Sequence, residues 1–220
     1  MKRVLLLSLL LFCLLVAPNA GFAQTPFDDI QSNPAAADIE AVYEKGIMIG
    51  TAANKFSPDT FVDRAQLAVC LVRTFDLNYD YLKLKEAPVP FDYYDDVEDN
   101  LWYSEASIIA GHLNILNIAG RNFNPLQRVT RAEVASAIAN SFAAKKLSVI
   151  TTLIWPNYSD IADLTQEEQS AISFVFNAGI MRYPGNEFRP DEKITRAELA
   201  TILNQTLKTI DVATPAQDAE

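Results

Sequence analysis

The 220-residue sequence contains little cysteine, histidine and glycine, and each shortage excludes a class of function. Of its two cysteines, we expect Cys13 to leave with an N-terminal leader, so that Cys70 has no partner for an intramolecular disulfide. His112 is the single histidine, so a histidine-based metal site would lack a second histidine ligand, and nothing else in the sequence indicates the partners of a Ser-His-Asp triad. No Gly-rich phosphate loop occurs. The sequence therefore predicts no catalytic centre, no metal and no cofactor.

Positive charge is also scarce. Lysine and arginine total 18 against 28 aspartates and glutamates, a formal net charge of −10, and this balance excludes a general nucleic-acid-binding protein. Hydrophobic residues make up 50% of the chain, which is enough for a core and excludes intrinsic disorder. We therefore expect a folded acidic protein.

Long hydrophobic runs are absent except near the N-terminus. Lys2 and Arg3 precede an apolar run at 4–16 that is too short to span a bilayer, and small residues precede a predicted cleavage site after Ala23. We interpret residues 1–23 as a secretory signal peptide. The mature chain is then expected to be exported and to have no transmembrane segment.

A repeated series of motifs dominates the rest of the sequence. Each copy has an aromatic and acidic opening, a helix-like stretch, a Phe-x-Pro loop, a β-branched residue six positions after the Phe and an arginine eight positions after it. The three openings begin at Phe27, Tyr94 and Tyr158, the loops begin at Phe56, Phe123 and Phe188, and the arginines are Arg64, Arg131 and Arg196. Identical offsets in three places indicate three units, at 27–76, 94–144 and 158–208.

Each unit is predicted to contain two helices. The first ends at a residue that tolerates the left-handed conformation, namely Gly46, Asn114 or Gly179. The second begins with a capping box, Thr130 with Glu133, Thr195 with Glu198, and a looser version formed by Asp63 and Gln66. A unit of ~50–55 residues is too small to be stable alone, so we expect one mainly α assembly. We expect residues 209–220 to form a flexible tail.

The combination of aromatic-x-Asp opening, Gly-Ile helix end, Phe-x-Pro loop and Thr-Arg-Ala-Glu helix start resembles the S-layer homology family, over about Phe27 to Leu207. The resemblance implies three helix–loop–helix repeats around a pseudo-threefold axis, with grooves between neighbours that bind carbohydrate non-covalently. It implies a non-catalytic anchoring module for cell-wall polysaccharide or modified peptidoglycan. The expected location is the cell envelope, at the wall surface or in the periplasm.

The resemblance points first to the three repeated arginines as the groups that bind an acidic substituent of the wall polymer. An arginine just after an N-cap lies where the helix dipole already favours an anion. We expect the arginines to be open to solvent. Because the first unit has Asp63 and Gln66 where the family prefers Thr and Glu, we rank Arg131 and Arg196 above Arg64.

The opening aspartates provide an alternative account of the arginines. An ion pair between each arginine and Asp29, Asp96 or Asp160 would need no ligand, although such an aspartate could also orient the arginine toward one. Gly50 matches a second glycine of the family motif and is a further candidate contact. Trp102 and Tyr183 lie in predicted loops and are candidates for stacking on sugar rings.

Two other ligand classes remain open. The acidic stretch 95–99 and the pair Glu167 and Glu168 would suit amine-modified peptidoglycan. An adaptor that binds an envelope protein instead of a glycan is the alternative function, and the aromatic-rich connector at 76–93 would be its contact surface.

Overall fold

The computed structural model describes residues 26–82, 86 and 88–216, and this part of the chain is mainly helical. Its helices are α1 (Ala36–Glu44), α2 (Arg64–Thr74), α3 (Tyr79–Leu82), α4 (Ser104–His112), α5 (Arg131–Ala144), α6 (Gln166–Asn177) and α7 (Arg196–Ile210). A 3₁₀ turn covers Pro90–Asp92, and the short strands β1 (Leu147–Ser148) and β2 (Thr214–Pro215) are antiparallel. The predicted mainly α fold is confirmed. The predicted signal peptide, residues 1–23, lies outside the described residues.

The predicted helix boundaries follow from local capping. The side chains of Asp63, Thr130 and Thr195 each accept a hydrogen bond from the backbone N–H three residues later. The side chain of that later residue in turn accepts a hydrogen bond from the backbone N–H of the capping residue. The breaks after the first helices have left-handed backbone, with φ of 68° at Gly46, 50° at Asn114 and 74° at Gly179. Both features confirm the predictions made from the sequence.

The helices pair between units and not within them. α2 packs against α4, α5 packs against α6, and α7 packs against α1. In each pair the second helix of one unit meets the first helix of the next, and the third unit returns to the first. A single unit therefore cannot bury the apolar faces of its own helices, as its small size indicated.

A closed ring of backbone hydrogen bonds lies where the three units meet. The Val62 N–H donates to the Ile194 carbonyl at 2.9 Å, the Ile194 N–H to the Val129 carbonyl at 3.3 Å, and the Val129 N–H to the Val62 carbonyl at 3.1 Å. These are the β-branched residues of the repeated motif, and none is more than 2% exposed. A closed cycle of three equivalent bonds requires an approximate threefold axis.

The C-terminal segment is ordered further than expected. α7 continues to Ile210, Thr214 and Pro215 pair with Ser148 and Leu147, and the Ala216 N–H donates to the Lys146 carbonyl at 2.8 Å. The expectation of a flexible tail from residue 209 is therefore wrong for the residues up to 216. Residues 217–220 lie outside the described part of the chain.

Because every helix pair joins two units, a chain truncated after residue 157 should lose cooperative folding. The truncation leaves α1 without α7 and α5 without α6. We expect far-UV circular dichroism to show a broad, low-temperature melting transition in place of the sharp transition of the full chain. A sharp transition with the helical signal of the first two units intact would show that the third unit is dispensable.

Candidate functional site

The repeated arginines join each unit to the next. Each guanidinium donates to the carbonyl of the Phe-x-Pro phenylalanine in the following unit, and the third reaches back to the first. The pairs are Arg64 with Phe123, Arg131 with Phe188 (3.0 Å) and Arg196 with Phe56 (2.8 Å). The backbone N–H of each arginine also donates to the following unit, in each case at 2.9 Å, to the carbonyls of Gln127, Glu192 and Thr60. We call each of these junctions a seam.

The opening aspartates contact the same phenylalanines from the other side. Asp29 accepts hydrogen bonds from the backbone N–H groups of Phe56 and Ser57, both at 2.9 Å. Asp96 and Asp160 bind the equivalent N–H groups of their own units at 2.6–2.9 Å. The residue after each phenylalanine has positive φ, 59° at Ser57, 50° at Asn124 and 59° at Arg189, so each carboxylate holds a tight turn.

The alternative account, an ion pair between each repeated arginine and one of these aspartates, is therefore wrong. Within the described residues, the acidic partners of the arginines are glutamates. Arg131 Nη1 lies 2.6 Å from Glu192 Oε2, and its Nη2 lies 3.1 Å from Glu198 Oε1. Arg64 Nη2 lies 3.9 Å from Glu133 Oε1.

The expectation that the arginines are open to solvent is also wrong for two of them. Arg131 is 0% exposed and Arg196 is 6% exposed, whereas the Arg64 side chain keeps 12% of its surface. The Arg131 guanidinium lies 4.4 Å from the centre of the Tyr183 ring, and its Nε makes no hydrogen bond to any residue that the structure describes. The ranking that placed Arg131 above Arg64 as a ligand contact therefore has no support from exposure.

Three grooves follow the threefold arrangement of the seams. Each is lined by the segment after the first helix of one unit and by the second helix of that unit. Residues of both neighbouring units complete the Arg196 and Arg64 grooves, and residues of the first unit complete the Tyr183 groove. The Arg196 groove has a volume of about 70 Å³ and includes 47–49, Gln66, Cys70, Arg73 and Trp102. The Arg64 groove has about 400 Å³ and includes 116–119, Asn122, Asn124, Gln127, Glu133 and Glu168. The Tyr183 groove has about 300 Å³ and includes 33–35, 180–183, Glu198 and Thr201.

The other candidate residues have different positions. Trp102 is 65% exposed, as expected, and lines the Arg196 groove. Tyr183, the other candidate for stacking on a sugar ring, is half-buried between the guanidinium groups of Arg131 and Arg189, so its ring is less available to a ligand than that of Trp102. At Gly50 a Cβ atom would lie 2.8 Å from both the Lys55 carbonyl oxygen and the Phe27 ring, and Gly50 therefore permits a close backbone approach.

The capping glutamates have a second role that was not predicted from the sequence. Glu133 and Glu198 cap their own helices, as predicted, and each also faces the arginine of the preceding unit. The sequence contains a pattern that could have indicated this role, because each glutamate lies two residues after a repeated arginine. What the spacing alone could not indicate is that the interaction crosses the seam.

The electrostatic environments of the two buried arginines differ. Burial by itself lowers the pKa of Arg131, but the neighbouring acidic groups Tyr183, Glu192 and Glu198 raise it above its ordinary value. Burial is also the largest influence on Arg196, and there the pKa is lowered overall. The positive charge of Arg196 is thus compensated less by neighbouring acidic groups than the charge of Arg131 is.

Comparison with known families matches two segments of this chain. Residues 26–68 and 157–200 match the S-layer homology domain. Both S-layer homology segments contain the opening motif, the Phe-x-Pro loop and the repeated arginine of their unit. The resemblance found from the sequence is therefore confirmed for the first and third units, while the second unit lies outside the matched segments.

Three curated relatives share most of this chain. The amylopullulanase of Thermoanaerobacterium thermosulfurigenes and the exoglucanase XynX of Acetivibrio thermocellus are each 24% identical over 178 residues, 80% of this chain. The S-layer protein of Bacillus licheniformis is 27% identical over 195 residues, 88% of this chain. The chain spans only 9%, 16% and 21% of the lengths of these three proteins, respectively.

Replacing Asp29 should destabilise the protein and change its response to acid. Burial raises the pKa of Asp29, but the N–H groups of Phe56 and Ser57 outweigh it, so the pKa lies below the ordinary 3.8. The stabilisation is therefore present above that value and is lost as the pH falls through the lowered pKa. Asp29→Asn should reduce the free energy of unfolding at neutral pH by roughly 1–3 kcal/mol.

Urea denaturation between about pH 3 and about pH 7 measures both effects, because the acid-dependent loss should be smaller in the variant. Asp28→Asn, at the exposed neighbouring position, is the control. Equal acid sensitivity of wild type and Asp29→Asn would contradict the proposed role of the carboxylate.

Arg131→Ala should lower the free energy of unfolding by roughly 3 kcal/mol, because it removes a buried cation from two carboxylates and from the Phe188 carbonyl. The surface control Arg189→Ala removes an exposed ion pair to Glu192 and should cost about 1 kcal/mol or less. Thermal melting measures the difference. If Arg131→Ala kept full stability, a structural role for this arginine would be wrong.

Proposed function

We propose that this chain is a non-catalytic anchoring module of the cell envelope that binds cell-wall polysaccharide or modified peptidoglycan non-covalently. The observation that carries the proposal is the threefold repetition of one seam, with an arginine, a helix start and a groove, in a chain whose first and third units match the S-layer homology domain. The proposal includes the second unit, 94–144, as a third repeat, because it makes the same seam contacts.

The range of relatives supports attachment over catalysis. By their names, two of the relatives are carbohydrate-acting enzymes and one is an S-layer protein, yet all three share the same segment with this chain. A segment common to proteins of such different kinds, and short relative to each of them, is better explained by a shared location than by a shared reaction. We therefore assign to this chain the function of holding a protein at the cell envelope.

The groove chemistry suits a carbohydrate. The Arg64 and Tyr183 grooves, about 400 and 300 Å³, are of the size that holds small ligands. The Arg64 groove carries the amides of Asn122, Asn124 and Gln127, which can donate to and accept from sugar hydroxyls. The exposed Trp102 ring offers a flat apolar face of the kind that stacks on a sugar ring.

The residues most capable of covalent chemistry are poorly placed for it. Cys70 is buried, and burial raises the pKa of its thiol to about 12, so the thiol stays protonated at neutral pH. His112 lies at the surface, where its Nδ1 is 2.9 Å from the Tyr93 hydroxyl, and it lines none of the three grooves. Both arrangements support a binding function.

A specific surface favours the alternative, an adaptor that binds an envelope protein. The connector between β1 and α6 exposes four large apolar side chains, Ile150 (95%), Leu153 (98%), Ile154 (56%) and Trp155 (58%). In the aromatic-rich connector at 76–93 that is expected for this role, Tyr79 and Tyr81 are half-buried, whereas Phe91 is 66% exposed. Both connectors therefore offer apolar surface to a protein partner.

Sedimentation with purified cell walls from which proteins have been extracted distinguishes the two functions. The full chain should sediment with the walls, and Trp102→Ala should weaken retention by roughly two- to tenfold, since a stacked ring contributes about 0.5–1.5 kcal/mol beyond its buried area. Trp155→Ala removes a similarly exposed tryptophan that lines none of the three grooves and should leave retention unchanged. Retention that requires wall proteins, or that only Trp155→Ala abolishes, would favour the adaptor.

A further inference from the structure

The connector from β1 to α6 has backbone groups that are free to pair with another strand. Leu147 and Ser148 pair with β2, and the chain then continues through 149–158 without a helix, a turn or a bend. Within the described residues, the backbone groups at 150–153 make no hydrogen bond. A straight segment with unpaired N–H and C=O groups is a template for a further β-strand.

This segment is held at both of its ends. At one end is the pairing with β2, and at the other end the Asn177 side chain binds both backbone groups of Ile154. Asn177 Oδ1 accepts from the Ile154 N–H at 3.1 Å, and Asn177 Nδ2 donates to the Ile154 carbonyl at 2.7 Å. Asn177 is itself buried and also donates to the Ser173 carbonyl. The segment is therefore ordered before a partner arrives, which lowers the entropic cost of binding.

The side chains of the segment are apolar and face solvent. Ile150 and Leu153 are almost fully exposed, and Ile154 and Trp155 are more than half exposed. A cavity of about 330 Å³ lies between the segment and α6, and its lining consists of Thr151, Leu153, Ile154, Trp155, Ser170, Ser173, Phe174 and Asn177. We call residues 149–155 together with this cavity the β1–α6 surface. Exposed apolar side chains clustered in this way mark a protein contact.

The β1–α6 surface has no charge, although the formal net charge of the chain is −10. None of the residues 147–157 is charged, and neither is any residue that lines the cavity. A partner that binds through its charges would find no complementary group here. Two copies of the same acidic chain, by contrast, can meet at this surface with little repulsion, because solvent ions screen their more distant charges.

The sequence of the segment suits an antiparallel copy of itself. It reads Val-Ile-Thr-Thr-Leu-Ile at 149–154, with two apolar residues on each side of two threonines. When two such strands pair about a twofold axis at Thr152, Ile150 lies opposite the partner's Ile154, and Val149 lies opposite the partner's Trp155. Cross-strand pairs of β-branched and aromatic residues stabilise a sheet. A twofold interface uses the same surface of both subunits, which one self-complementary strand provides.

We infer that the β1–α6 surface is a homodimer interface, in which residues 149–155 of two copies pair as antiparallel β-strands about a twofold axis. The exposed apolar side chains of each copy pack on the other copy. The dimer leaves the three grooves open, because the cavity of the β1–α6 surface shares no lining residue with them. The inference goes beyond the anchoring function, since it assigns a partner and a contact surface that anchoring does not require.

Sedimentation equilibrium of the full chain tests the interface. The average mass should rise toward that of two chains between about 1 and about 100 µM, because the interface is small. Leu153→Lys puts a charge into the apolar contact and should raise the dissociation constant at least about tenfold, which corresponds to about 1.4 kcal/mol. Leu126→Lys is the matched control. Leu126 is 79% exposed and lies outside the β1–α6 surface, so this variant adds the same charge and should dimerise like the wild type.

Hydrogen exchange shows whether the contact is a strand pairing. The amides at 150–153 lack backbone partners in one chain, and they should exchange at least about tenfold more slowly where the dimer forms. In Leu153→Lys they should exchange fast at every concentration. Added salt should strengthen the dimer, because it screens the repulsion between two acidic chains.

Three outcomes would overturn the inference. A wild type that stays monomeric over the whole range would leave the β1–α6 surface to a different protein, as in the adaptor function. A dimer that Leu153→Lys does not weaken would have its interface elsewhere. A dimer without slower exchange at 150–153 would not be paired through these strands. The anchoring function is independent of all three, because wall sedimentation tests it separately.

Discussion

Each Phe-x-Pro phenylalanine is bound through both of its backbone groups, and the assembly depends on this arrangement. Its N–H donates to the opening aspartate of its own unit, and its carbonyl accepts from the arginine of the preceding unit. The three rings, Phe56, Phe123 and Phe188, are fully buried. One residue therefore connects the turn within a unit, the seam between units and the core.

The features that the sequence could predict are those with short-range causes. Capping boxes, left-handed helix ends and the identical offsets after each phenylalanine act over a few residues, and they placed the two helices of every unit. The contacts across the seams are different in kind, because Arg64 bonds to Phe123, 59 residues away, and Arg196 to Phe56, 140 residues away. No spacing within one unit indicates such a partner.

The same limit explains the errors in the candidate site. Ion pairs between the arginines and the opening aspartates were one of two open accounts, because opposite charges attract. Asp29 and Arg196 instead both contact the backbone of Phe56, from opposite sides. The burial of Arg131 follows from Tyr183 and two glutamates of another unit. Thr214 and Pro215 pair with β1 through only two residues on each strand, which is too few to give a recognisable strand pattern in the sequence.

Departures from the repeat distinguish the three grooves. A perfectly repeated sequence would give three identical seams, each with the arginine neutralised by a glutamate of its neighbour. Gln66 interrupts that arrangement at one seam, while Glu192 reinforces it at another. The architecture is thus common to all three units, while the charge that faces the arginine differs from one seam to the next.

The closed order of the units has a consequence for chain topology. Because α7 packs against α1 in the same way as α2 against α4 and α5 against α6, the junction between the last and first units is equivalent to the two that follow the chain direction. The contacts between units are therefore the same whichever unit comes first in the chain. A circular permutant that starts with the second unit and finishes with the first would contain every seam described for the natural order.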